Sequence, residues 1–116
     1  MKYTILIYET PADFAARTDE RRKEAYWGAY RAYTKALGDA GVMTGGAALQ
    51  PSHLATTIRP QDGNQRVQDG PYAEAKEQLG GYYVIEVPDL DQALAWAARC
   101  PAASTGAVEV RPNLSM

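Results

Sequence analysis

The segment Tyr82-Tyr83-Val84-Ile85-Glu86-Val87 does most to limit what this chain can fold into. Successive side chains of a strand point to opposite faces. Tyr83, Ile85 and Val87 therefore share one face, and Tyr82, Val84 and Glu86 share the other. Ala107 to Arg111 repeats the pattern, with Val108 and Val110 opposed to Ala107, Glu109 and Arg111. Lys2 to Tyr8 is apolar at nearly every position, as a central strand is. Tyr3, Ile5 and Ile7 fall on one side of it, and Thr4, Leu6 and Tyr8 on the other. The pattern predicts a sheet with helices on its aliphatic face and charge on its opposite face.

Helices are signalled between these strands. Thr10-Pro11-Ala12-Asp13 reads as a cap, a proline in the first turn and an acid suited to the helix dipole, opening a helix that breaks near Thr18. Asp19 to Ala40 reads as the long helix, with Tyr26, Tyr30, Tyr33 and Leu37 at helical spacing and Gly41 as its stop. Tyr26, Trp27, Tyr30 and Tyr33 are either core or an aromatic wall for a small planar ligand. Val42 to Gln50 and Ala55 to Arg59 are expected as strands, and Asp62-Gly63-Asn64 as the turn of a hairpin continuing through Arg66 to Asp69. Ala73 to Gln78 can form a helical turn or two, and Gly80-Gly81 a hinge into the strand after it. Asp89 caps a last helix with Leu90, Ala93, Leu94, Ala97 and Ala98 facing the core. The order is that of a ferredoxin-like split βαβ fold of the α+β class, with an antiparallel sheet.

A chain of 116 residues makes one domain, spanning 1–116, able to bury a core without metals or disulfides. A formal net charge of -2 argues against a nucleic-acid binder. The single cysteine, Cys100, allows no internal disulfide, and it reads as core. With no leader pattern and no apolar span, a soluble cytoplasmic protein without membrane contact is expected. No metal site, phosphate-binding glycine loop or nucleophile elbow is found, and no cofactor is expected.

The face carrying Tyr8, Tyr82, Glu86, Glu109 and Arg111 has three readings. It is an arginine–carboxylate network fixing a dimer, a small-molecule pocket with Arg111 holding an anion and a carboxylate acting as base, or a solvated surface. His53, the only histidine, is the only side chain whose ordinary pKa lies near neutrality. It is a loop residue or a ligand-binding one.

Asp69-Gly70-Pro71-Tyr72-Ala73-Glu74-Ala75-Lys76-Glu77 resembles the signature of the DGPF-domain family, within the wider YCII-related superfamily. Tyr72 stands where that signature usually has Phe, and Ala75 where it has Thr. The resemblance implies the ferredoxin-like fold, paired as a homodimer into a dimeric α/β barrel. It implies cofactor-free lyase- or isomerase-type proton transfer on a small cyclic or aromatic ligand. Asp69 or Glu86 is then the expected catalytic base, and Tyr82, Glu109, Arg111, Tyr8 and His53 the substrate-binding residues. Asp69 and Glu74 are otherwise turn and helix-face residues. Relatives with a His-Asp pair carry that histidine in the first helix region, so the role does not pass to His53. The resemblance also implies two other readings: an accessory protein of an extracytoplasmic-function sigma factor, or a dimeric scaffold without chemistry.

Overall fold

The computed structural model describes residues 1–73 and 75–116. β1 (Lys2–Glu9) is followed by α1 (Pro11–Ala16), α2 (Lys23–Asp39) and β2 (Met43–Ala48). A single 3-10 turn, Ser52–Leu54, leads to β3 (Thr56–Gln61) and β4 (Asn64–Asp69). β5 (Gln78–Glu86), α3 (Leu90–Ala98) and β6 (Ala107–Pro112) complete the chain. The four-stranded sheet has the order β2-β5-β1-β6, with every neighbouring pair antiparallel. β5 lies between β1 and β2, so the first βαβ unit is split, as the sequence order predicts.

The parity argument holds across this sheet. Tyr3, Ile5, Ile7, Tyr83, Ile85 and Val87 are buried, and meet Tyr33 and Leu37 of α2 and Ala93 and Ala97 of α3. The buried tyrosines keep their hydroxyls satisfied: Tyr33 donates to the Trp96 carbonyl at 2.8 Å, and Tyr83 pairs with the Thr34 hydroxyl at 2.7 Å. Cys100 is buried in the same core, and burial pushes its thiol pKa up, so it stays a neutral packing group. The chain measures 18 Å along its shortest axis, which fits one helical layer on one sheet and leaves the other face uncovered. No helix among the described residues is long and apolar enough to cross a membrane.

Several local expectations are met. Thr10 accepts from the Asp13 amide at 3.2 Å while Asp13 accepts from the Thr10 amide at 3.1 Å, a reciprocal cap. Gly41 is left-handed at φ 70°, and Asp62 and Gly63 turn the hairpin at φ 51° and 80°. The expected hairpin forms from β3 and β4, as a two-stranded sheet separate from the main one.

Others need correction. α2 begins at Lys23, because the Asp19 side chain binds the Arg21 amide and its carbonyl closes a turn onto Lys23. No helix forms between Ala73 and Gln78 among the described residues, of which Glu74 is not one. There the Gln78 side chain binds the carbonyls of Ala73 and Ala75, and its backbone is already in β5, opposite Glu9. On α3, Leu90 and Leu94 stay 45% and 48% exposed, because Ala93 and Ala97 supply the close-packed stripe. Gly80 and Gly81 are not a hinge but the interior of β5, for a reason that lies in the site.

Candidate functional site

The inward series of β1 runs Tyr3, Ile5, Ile7 and then Glu9. Strand parity thus delivers a carboxylate into the core at the end of the strand, where it is 2% exposed. A buried charge is very costly unless paired. Its partners are Arg17, just after α1, and Tyr26 of α2. The Arg17 Nη2 donates to Glu9 Oε1 at 2.6 Å, and the Tyr26 hydroxyl donates to Oε2 at 2.6 Å. Arg17 Nε donates to the Tyr26 oxygen at 3.0 Å, closing a triangle. The guanidinium also donates to the carbonyls of Gly80, at 3.0 Å, and Leu49.

Arg17 follows α1 directly, and its own carbonyl accepts from the Trp27 indole at 3.0 Å. The Phe14, Trp27 and Tyr26 rings lie 4.8, 5.6 and 5.7 Å from the guanidinium carbon. Burial works against the charge on Arg17, but the hydrogen bonds to Glu9 and Tyr26 outweigh it and raise the pKa. Burial also raises the Tyr26 pKa, with the Glu9 contact adding to it and Arg17 opposing. Arg17 therefore stays cationic and Tyr26 stays a phenol that can donate.

The glycine pair makes room for this cluster. A Cβ on Gly80 would collide with Glu9 Oε1 and approach Arg17 Nη2 to 3.1 Å. A Cβ on Gly81 would come within 2.9 Å of the Ala47 carbonyl oxygen. β5 shifts register here, pairing Gly81 with Ile7 but Leu79 with Tyr8. Gly80 is the extra residue, a bulge beside the site.

Glu9 lines three cavities. One, of about 610 Å³, runs between α2 and strands β2 and β5, with Tyr26, Trp27, Tyr30 and Tyr83 as aromatic walls and Arg31 and Lys35 exposed at its edge. A second, of about 790 Å³, lies between α1, the 3-10 turn and the segment before β5. A third, of about 520 Å³, lies between α2 and residues 99–105. The Tyr30 hydroxyl is buried without a hydrogen-bond partner of normal geometry among the described residues, with the Cys100 thiol as a polar neighbour. A buried donor in that state favours an acceptor in the adjoining space. Among the described residues no three His, Cys, Asp or Glu side chains gather as a metal site.

The residues expected from sequence fall in three places. Tyr8, Tyr82, Glu109 and Arg111 come together on the uncovered sheet face. There Leu6 is flanked by Tyr82 and Glu109, the Tyr8 hydroxyl donates to Glu109 at 3.4 Å, and Arg111 pairs with Glu109. Glu86 is exposed at the end of that face, paired in register with Lys2. Asp69 stands apart on the β3–β4 hairpin, opposite Thr56, and is exposed. His53 is exposed in the 3-10 turn and lines the second cavity. Glu74 lies outside the described residues. Glu9 and Arg17 were not foreseen. The parity of β1, extended one residue past Tyr8, carries the signal for Glu9. No periodicity marks Arg17, which acts from a loop.

The family model of the YCII-related domain matches residues 1–116, and the chain belongs to that family. It is 38% identical over 117 residues to the uncharacterised protein R00369 of Rhizobium meliloti (strain 1021), covering 97% of this chain and 91% of that protein. Its fold is similar to that of 5-chloro-2-hydroxyhydroquinone dehydrochlorinase (TftG) from Burkholderia phenoliruptrix AC1100, solved with 2,5-dihydroxybenzoquinone. The TM-score is 0.55 at 16% identity, over 98% of this chain and 94% of that one.

Proposed function

We propose that this YCII-related protein binds a small planar ring compound in the groove between α2 and strands β2 and β5. Glu9 there serves as acid and base in a cofactor-free proton transfer of lyase or isomerase type. The observation that carries this reading is a carboxylate buried to 2% that nevertheless lines the aromatic groove. Arg17 and Tyr26 each take one of its oxygens, which fixes its orientation and leaves lone pairs for a substrate proton. Glu9 takes a ring proton as the carboxylate and returns the same proton at another ring position, while Tyr26 stays a phenol and keeps its hydrogen bond to the other oxygen. The dehydrochlorinase of similar fold carries a planar quinone, and a ring of that shape suits walls of Tyr26, Trp27 and Tyr30.

Hydroquinone titrated into ¹⁵N-labelled protein is expected to move the Trp27 indole resonance. Tyr26→Phe should weaken binding about tenfold with the amide spectrum intact, and Glu9→Gln should do so at a temperature where its urea melt still shows it folded. Wild-type affinity in both variants would sink the reading. Shifts confined to Tyr82, Glu109 and Arg111 would also do so, and would move the pocket to the open sheet face.

That face has a role of its own in the proposal. The resemblance of Asp69 to Glu77 to the DGPF signature supports membership of that branch, and in this reading two copies meet through their uncovered sheets as a dimeric α/β barrel. Leu6, Tyr82 and Val84 supply the apolar contact, while the Tyr8–Glu109–Arg111 chain keeps its charges paired within each copy. Light scattering should give twice the mass of the chain, and Arg111→Glu should shift the protein toward monomer. A monomeric wild type would remove the barrel.

A further inference from the structure

The second cavity lies between α1, the 3-10 turn and described residues ahead of β5, and the α2 groove does not use it. Its walls come from three separate stretches: Phe14 and Ala15 of α1, Pro51 to His53 of the 3-10 turn, and Pro71, Ala75, Lys76 and Gln78 ahead of β5. Lys76 and His53 are exposed and mark the mouth, whereas Glu9 is buried and marks the floor. The charge on that floor is already matched by Arg17. Among the described lining residues, what remains for a visitor is a basic mouth over an apolar body made of Phe14 and prolines. A cavity of about 790 Å³ is of the size that holds a small organic molecule.

We infer that this cavity is a separate binding site for a small aromatic carboxylate, its anionic group held by Lys76 and His53 and its ring against Phe14. Both basic groups are needed for the selectivity. An ammonium gives an undirected charge, and an imidazole N–H gives a directed donor to the same carboxylate. The face of Phe14 is apolar, so a ring is favoured there over a chain of equal charge. The inference also gives the signature segment a task that turn geometry alone does not, since Pro71, Ala75 and Lys76 form one wall. It does not rest on proton transfer by Glu9 or on the α2 groove, and can stand where those fail.

The test is a benzoate titration followed by amide and imidazole NMR shifts, with benzyl alcohol as the neutral counterpart. Benzoate is expected to move His53, Phe14 and Lys76 and to leave the Trp27 indole in place. Lys76→Ala and His53→Asn, both exposed and so without cost to the fold, should each weaken benzoate about five- to tenfold. Neither should change hydroquinone binding in the α2 groove. Benzyl alcohol binding as well as benzoate, wild-type affinity in both variants, or benzoate shifts at Trp27 alone would each overturn the site.

Discussion

Replacing Glu9 by leucine is expected to cost about 3–5 kcal/mol, enough to unfold much of the population at ordinary temperature. The loss comes less from the missing carboxylate than from what it leaves behind. Arg17 has a side chain only 9% exposed, and it would keep a full charge with only carbonyls and a phenol oxygen as partners. Tyr26 would retain a half-buried hydroxyl without its acceptor. The check is a set of urea melts on Glu9→Leu, Arg17→Met and the combined Glu9→Leu/Arg17→Met/Tyr26→Phe variant. Each single change of a charged residue should lower the midpoint strongly. The triple variant should regain much of the loss, because removing every member of a buried ionic network leaves no orphan. Recovery would be incomplete, since the Leu49 carbonyl loses its donor, while the Gly80 carbonyl keeps the Leu49 amide at 2.9 Å. A triple variant no better than Glu9→Leu would show that the cluster is needed for packing rather than for charge balance. Such a network takes charges out of water at a cost that only close pairing offsets, and a buried, paired carboxylate lining a groove is where chemistry is looked for.

The sheet could be read in the sequence because its information is local and periodic. Alternation in Tyr82 to Val87 sorts core from surface, with Tyr83, Ile85 and Val87 buried, and in Ala107 to Arg111 Val108 and Val110 pack partly buried against that core. The helix caps at Thr10 and Asp89 were legible for the same reason, each a side chain bonding an amide three residues on. The site was half legible. The aromatics of α2 stood out as core or ligand wall, and they divide along that line: Tyr33 is buried in the core, while Tyr26, Trp27 and Tyr30 line the groove. Glu9 lies one residue beyond the strand that the apolar run predicts, since a charged residue reads as a strand's exit. Arg17 could not be found, because its four hydrogen-bonded partners come from positions 9, 26, 49 and 80, and only the tertiary fold brings them together. The Gly80-Gly81 pair was read as a freedom of the backbone. Its task is to leave a side chain's volume empty beside a neighbour, which local sequence does not reveal.

That last point makes Gly80→Ala the most direct probe of how the site is built. The added methyl would overlap Glu9 Oε1 and stand 3.0 Å from its carboxyl carbon. A flexible surface side chain would swing away at little cost. Glu9 cannot, because moving it breaks the bonds to both Arg17 and Tyr26 inside the core. The expected cost is therefore at the top of the range of about 1–3 kcal/mol for overpacking, or beyond it. The same substitution at Gly38 serves as the contrast. That glycine lies within α2, and a Cβ there meets nothing within 4 Å, so Gly38→Ala should stabilise by about 0.5–1 kcal/mol. Two identical changes of opposite sign would separate the steric effect from the general effect of removing a glycine. The decisive measurement is the coupling between positions 80 and 9. Glu9→Asp withdraws the carboxylate by one methylene and opens the space the new methyl needs. In the Gly80→Ala background it should cost far less than in the native one, giving a favourable coupling of about 1–2 kcal/mol in urea melts. If the two changes simply add, the methyl is not meeting Glu9, and Gly80 is glycine for the sake of the bulge alone. If they couple, the bulge, the bare backbone and the buried carboxylate form one device, and ligand affinity in the α2 groove should fall in Gly80→Ala and return in part in the double variant.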